Sequence, residues 1–117
     1  MVFQSFEEFW PFYIGEHRKP VTRGLHYVGT GLGYALGVAA LVTMNQWLVP
    51  AGLLAGYGPA WVSHFFIEHN RPATFKHPLW SFRGDARMLL YFLTGRMGAE
   101  FARLEKQGFR YATPAAE

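Results

Sequence analysis

Five histidines carry most of the chemistry this sequence offers: His17, His26, His64, His69 and His77. Neutral imidazole is a metal ligand and a proton carrier near neutral pH. Glu68 follows His64 by four residues, so on a helix the two share a face. His69 lies about 140° round from His64 and points elsewhere. His17 and His26, nine residues apart, would occupy opposite faces of one helix, but Pro20 interrupts them and lets them converge. A His–Glu pair plus two histidines from another element suffices for one metal ion with open coordination positions. Each residue also has a plainer role. A single histidine often hydrogen-bonds at a helix end, and Glu68 can pair with Arg23 or Arg71 or orient a ligand histidine. His77 precedes Pro78 in a loop, and Asp85 can pair with Arg83, Arg87 or Lys76.

The elements that must position these groups can be read from spacing. Residues 3–17 form an amphipathic helix, with Ser5 as N-cap, Glu8 reaching back to it and Pro11 as a kink. Phe3, Phe6, Trp10 and Tyr13 make an aromatic stripe that suits a core or a membrane interface. Lys19-Pro20 breaks this helix and Gly24 permits a turn. A second helix is expected over 25–48 and a third over 51–68, kinked at Gly58-Pro59. Residues 70–78 read as an ordered loop. A fourth helix starts near Leu79, Gly95 and Gly98 interrupt it, 100–106 add a turn or two, and the tail frays from about 108.

No Asp, Glu, Lys or Arg stands between Arg23 and Glu68. A helical hairpin in a bilayer accounts for that run, and Gly29, Gly33 and Gly37 offer a small-residue face for close helix contact. The expected fold is therefore all-α: a single domain over 1–117, with a central transmembrane hairpin flanked by amphipathic, interfacial helices. A buried hairpin in a soluble bundle is the competing arrangement. Folding the hairpin brings His26 and His64 to one end, where nearly all Lys and Arg fall. The positive-inside rule makes that end cytoplasmic and the protein multi-pass.

Composition narrows the function. There is no cysteine, which removes disulfides, thiolate zinc sites, iron–sulfur clusters and cysteine nucleophiles. Charged residues are 16% of the chain, and the formal charge is +3. The basic residues cluster at 18–23, 71–76 and 83–87, beside the apolar run, which suits lipid headgroups and disfavours nucleic acid. Glu7 and Glu8 come early with no basic stretch before them, so the N-terminus does not read as a signal peptide. No HExxH motif, phosphate loop or nucleophile elbow is present, and Gly29-Thr-Gly-Leu-Gly33 lacks the preceding strand that nucleotide binding requires.

Two long motifs carry a resemblance. The first is Phe12-Tyr13-x-x-x-His17-x-x-Pro20-x-x-Arg23-x-Leu25-His26-x-x-Gly29-Thr30. The second is Gly56-Tyr57-x-x-Ala60-Trp61-x-x-His64-Phe65-x-x-Glu68-x-Asn70-x-Pro72-Ala73-Thr74-Phe75. With Pro78-Leu79-x-Ser81 and Asp85-x-x-Met88, the pattern over about residues 6–95 resembles the Mpo-like family, once catalogued as a domain of unknown function. The resemblance implies a small multi-helix membrane protein. The best-known fungal member is an iron(II)-dependent dioxygenase that converts 2-hydroxy fatty acids and O2 to acids one carbon shorter, a step in breaking down phytosphingosine. It implies His17, His26 and His64 as ligands to Fe(2+). Glu68 also matches a motif position and is the candidate carboxylate for the chemical step. His69 stands where relatives are expected to have Lys and is discounted.

The chemistry of a 2-hydroxy acid agrees with that implication: its carboxylate and 2-hydroxyl can chelate iron, the apolar hairpin can hold its tail, and Arg23 or Arg71, with Arg18 and Lys19, can attract its carboxylate. An oligomer is compatible with this reading. Two other readings use the same residues: a non-catalytic membrane protein whose His/Arg-rich rim binds headgroups or a partner, and a zinc hydrolase acting on lipid.

Overall fold

Ser5 starts the first helix. Its hydroxyl accepts from the Glu8 N–H at 3.3 Å, while the Glu8 carboxylate reaches back to the Gln4 N–H at 2.7 Å. The computed structural model describes residues 3–109. Helix α1 spans Phe6–Gly15, α2 Pro20–Thr43, α3 Leu48–Val62, α4 Pro78–Leu93 and α5 Met97–Lys106. A π-helical turn, Ser63–Glu68, continues α3, and a 3-10 turn covers Ala73–Phe75. The described residues are all-helical and contain no strand. The tail expected to fray lies, beyond Phe109, outside them.

Two prolines correct the expected boundaries. Pro20 begins α2 and Pro78 begins α4. The first helical position needs no N–H bond, so proline fits there with its φ already set. Helix α2 therefore starts five residues earlier than expected and takes in Gly24. Gly98 likewise lies inside α5, and the break before α5 falls at Gly95, whose φ is +71°.

The core is built on α1. Phe6, Phe9, Trp10, Tyr13 and Ile14 are buried with Met88 of α4 and Met97, Phe101 and Leu104 of α5. The aromatic stripe of α1 thus packs in a protein core, the first of the two roles open to it. Trp10 donates its indole N–H to Glu100 at 2.7 Å. That bond satisfies the polar edge of a fully buried ring.

Helices α2 and α3 form an antiparallel hairpin, in a molecule that measures 47 Å along its longest axis and 28 Å along the other two. Its contact is glycine-made. A Cβ on Gly29 would lie 2.6 Å from the Gly56 carbonyl oxygen, so only glycine permits this approach. The outer faces stay apolar and uncovered, including Val28, Val42, Leu54 and Val62. Among the described residues one helix, α2, is long and apolar enough to cross a membrane. It has 24 residues. Helix α3 has 15 residues. At about 1.5 Å per residue the first reaches about 36 Å and the second about 22 Å. The hydrocarbon core of a bilayer is about 30 Å thick. The expected two-span hairpin is thus reduced to one qualifying span.

Candidate metal centre

Three elements meet at the base of the hairpin, and each brings a histidine. His17 stands in the link between α1 and α2, His26 in the second turn of α2, and His64 in the π-helical turn. They are 1%, 3% and 2% exposed. Their rings lie edge to face, with centroids 4.2 Å (His17–His26), 4.7 Å (His17–His64) and 4.9 Å (His26–His64) apart. One nitrogen from each falls in a group whose members are all within 4.8 Å of one another.

The hydrogen bonds fix which nitrogen is free. His17 Nδ1 faces the Tyr13 carbonyl at 2.6 Å, and His26 Nδ1 faces the Thr22 carbonyl at 2.9 Å. Carbonyls only accept, so both Nδ1 atoms carry the proton. His64 Nδ1 lies 2.6 Å from Asn70 Oδ1, and the Asn70 amide donates to the Glu16 carbonyl at 3.2 Å and to the Glu16 carboxylate. That assigns Oδ1 as acceptor and gives His64 the same tautomer. All three Nε2 atoms then hold bare lone pairs, and those of His17 and His26 are 3.0 Å apart. Two buried lone pairs at that distance repel unless a cation lies between them. Burial, with His26 and His64 alongside, holds His17 well below the usual imidazole range, so a proton is a poor candidate for that cation. Metal-bound histidines characteristically give their other N–H to a carbonyl or carboxylate. All three here give theirs to a carbonyl oxygen. The donor set fits a divalent metal.

The other expected residues lie elsewhere or hold other partners. His69 has φ +59° and caps the π-helical turn, exposed. His77 is ringed by Phe3, Phe9 and Trp80. Glu68 stands outside the three-histidine group: its Oε2 accepts from the Lys19 N–H at 2.8 Å and the Thr22 hydroxyl at 2.7 Å. It supplies from a distance the N-terminal carboxylate that the first turn of α2 lacks. Arg23 donates to the carbonyls of His17 (2.9 Å) and Arg18 (2.7 Å) and lies over the Phe101 ring. Arg71 is exposed. Asp85 pairs with none of its expected cations and accepts instead from the Tyr13 hydroxyl. Arg87 pairs with Glu7 at 2.8 Å, and Arg83 lies over Phe6.

Asn70, Glu16 and Tyr13 were not expected at the site. Tyr13 packs its ring 4.2 Å from that of His17, centroid to centroid. Asn70 stood in the sequence motif without a role, and Glu16 carried no local signal.

The family model for the Mpo1-like 2-hydroxy-palmitic acid dioxygenases matches residues 3–97. The chain belongs to this family. The match takes in all three histidines, Asn70 and the Tyr13–Asp85 pair, and the family's name points to dioxygenase chemistry on a fatty acid. No curated protein and no solved structure matches the chain.

Proposed function

We propose that this protein is an iron(II)-dependent dioxygenase that shortens 2-hydroxy fatty acids by one carbon, with His17, His26 and His64 as the iron ligands. The observation that carries the reading is the convergence of three Nε2 lone pairs whose Nδ1 protons are all occupied. Three neutral ligands add no negative charge, so a 2-hydroxy acid can supply the anionic donor that a carboxylate side chain supplies in many iron oxygenases. The Nε2 atoms of His17 and His26 are 3.0 Å apart. That spacing would let both nitrogens hold one metal ion.

Bound at this site, iron(II) supplies a centre that engages the 2-hydroxy acid and dioxygen together. The conversion balances without a separate reductant: the 2-hydroxy acid and O2 give the shortened acid, carbon dioxide and water. The chain's own residues exclude water and fix orientation. Tyr13 covers one face of His17, Asn70 holds the His64 ring, and Glu68 ties the π-helical turn to the start of α2. Glu68 is thereby a positioning residue in this reading. Arg71, exposed, draws in the substrate carboxylate, while Arg23 shapes the link that carries His17. We place the protein in a membrane with the histidine end cytoplasmic, because the basic residues gather there and the hairpin turn has none.

Anaerobic loading with iron(II), elemental analysis and an oxygen-uptake assay test the reading. Expected are about one iron per chain, lost in His26→Ala or His64→Ala, and O2 consumption with 2-hydroxypalmitate but not palmitate. A folded protein that retains no iron, or one that holds zinc and hydrolyses lipid esters without oxygen uptake, overturns it.

A further inference from the structure

A groove of about 460 Å³ runs along the hairpin. That volume falls within the size range of ligand sites. Helices α2 and α3 form its floor, and Phe82 and Asp85 of α4 close one side. Asp85 is the sole charged residue in its lining. The groove has two unlike ends. Thr30, Tyr57 and Asp85 stand near the histidines, since Thr30 is about one turn beyond His26. Leu41, Val49 and Leu53 stand near the hairpin turn. The polar end joins the metal centre through one pair of side chains: Asp85 lines the groove and accepts from Tyr13, whose ring lies on His17.

The glycines on the floor differ in what they do. Gly29 and Gly52 are needed for packing, because a Cβ there would lie 2.6 Å from the Gly56 oxygen and 3.3 Å from Leu36 Cβ, respectively. A Cβ on Gly37 would meet nothing within 4 Å. Glycine inside a helix costs about 1 kcal/mol relative to alanine. Helix contact does not require glycine at position 37, and Gly37 lines the groove. From Thr30 to Leu41 the helix rises about 17 Å. An extended chain at roughly 1.2 Å per bond places about fourteen bonds in that length.

We propose that this groove seats the alkyl tail of the 2-hydroxy acid, with its carboxyl end toward the histidines, and that Gly37 sets the longest tail accepted. The assignment rests on the function proposed above. It makes the glycine face serve two ends, helix contact at Gly29 and Gly52 and substrate space at Gly37.

The test uses a 2-hydroxy fatty acid with a diazirine at the tail end, bound anaerobically to the iron-loaded full chain in detergent and photolysed. Adducts are mapped by peptide mass spectrometry. Expected are adducts on Leu41, Val49 or Leu53 that excess 2-hydroxypalmitate suppresses and excess phospholipid does not. Adducts spread over outward residues such as Leu54 and Val62 overturn the proposal. Equal suppression by phospholipid also overturns it, because the groove is then a seat for bilayer lipid. The second arm is a chain-length profile for Gly37→Leu, with Gly37→Ala as the milder variant, whose Cβ enters open space. Gly37→Leu should lower the ratio of long-chain to medium-chain turnover at least about tenfold with iron content unchanged, and Gly37→Ala should shift it less in the same direction. Unchanged profiles in both variants, with active wild-type enzyme, sink the groove assignment alone. A wild-type chain inactive on every 2-hydroxy acid counts against the proposed function, while the adduct map still decides the groove.

Discussion

His17 and His26 each give their Nδ1 proton to the carbonyl four residues back, so helical geometry alone orients them. His64 depends on a side chain instead, Asn70, which Glu16 holds. Asn70→Ala leaves a buried N–H without its acceptor and frees the ring. It should weaken metal binding about 10–100-fold with little loss of helix content. Competition with a chelator of known affinity measures this, and an unchanged affinity removes Asn70 from the site. Asp85 gives a second residue-level prediction. Burial raises its carboxyl from 3.8 to about 7, against the lowering effect of the Tyr13 hydroxyl, while Tyr34 and Tyr57 face it from the hairpin. Between those values the folded chain keeps a proton that the unfolded chain has lost, so this group's effect on stability worsens as pH rises and levels off above about 7. Asp85→Asn keeps an acceptor for Tyr13 and cannot titrate. Its stability relative to wild type should rise across that window by about 1–2 kcal/mol, less than the bare shift implies because solvent screens a partly exposed group. Asp85 is such a group, being only half-buried. Denaturant unfolding of the metal-free protein at several pH values checks the sign. The histidines were legible in the sequence because no other chemistry competes with them. The Asn70–Glu16 link was not, because it joins residues 54 positions apart and an asparagine in a proline-rich stretch reads first as a turn former.

At the scale of elements, the site depends on where helices start and how they end. Pro20 as the first residue of α2 puts His26 two turns into a helix, and the π-helical turn swings His64 toward it. Neither was legible: proline reads as a break unless it falls at the first helical position, and the ordinary helical period does not reveal a π-helical turn. Such turns recur at functional sites because they re-aim side chains. The glycine face was legible from its four-residue spacing, but not the division of labour within it. A Cβ on Gly29 would meet backbone at 2.6 Å. Gly29→Ala should therefore destabilise by about 1–3 kcal/mol and loosen the hairpin. A Cβ on Gly24 would meet nothing within 4 Å. Gly24→Ala should stabilise by about 0.5–1 kcal/mol. Opposite shifts in the unfolding midpoint of the two variants check the assignment; equal shifts contradict it.

At the scale of the whole molecule, the core and the apolar run are separate bodies of structure. The aromatic core of α1, α4 and α5 surrounds the histidine end, while the hairpin projects with its apolar outer face uncovered. Only 17% of the most apolar window of α2 is buried, unlike the core helix of a water-soluble bundle. In the membrane arrangement proposed above a bilayer would cover that surface, and the charge-free run is the sequence feature that points to it. The position of the turn was legible from Asn45-Gln46 and Pro50, but the shortness of α3 was not, because the run of apolar residues does not show where α3 gives way to a π-helical turn. In the proposed membrane arrangement, α3 is too short to return alone, so its π-helical continuation would have to complete a second crossing, with Glu68 near the interface and the turn at Asn45 on the far side. The absence of cysteine allows a direct test. Asn45→Cys and Lys76→Cys, expressed singly in intact cells, are treated with a membrane-impermeant maleimide. Asn45→Cys should label from outside and Lys76→Cys only after lysis, with both remaining in the membrane fraction after alkaline carbonate. If both label only after lysis, the hairpin dips into one leaflet and returns, and the exposed face of α2 lies along the membrane instead of through it.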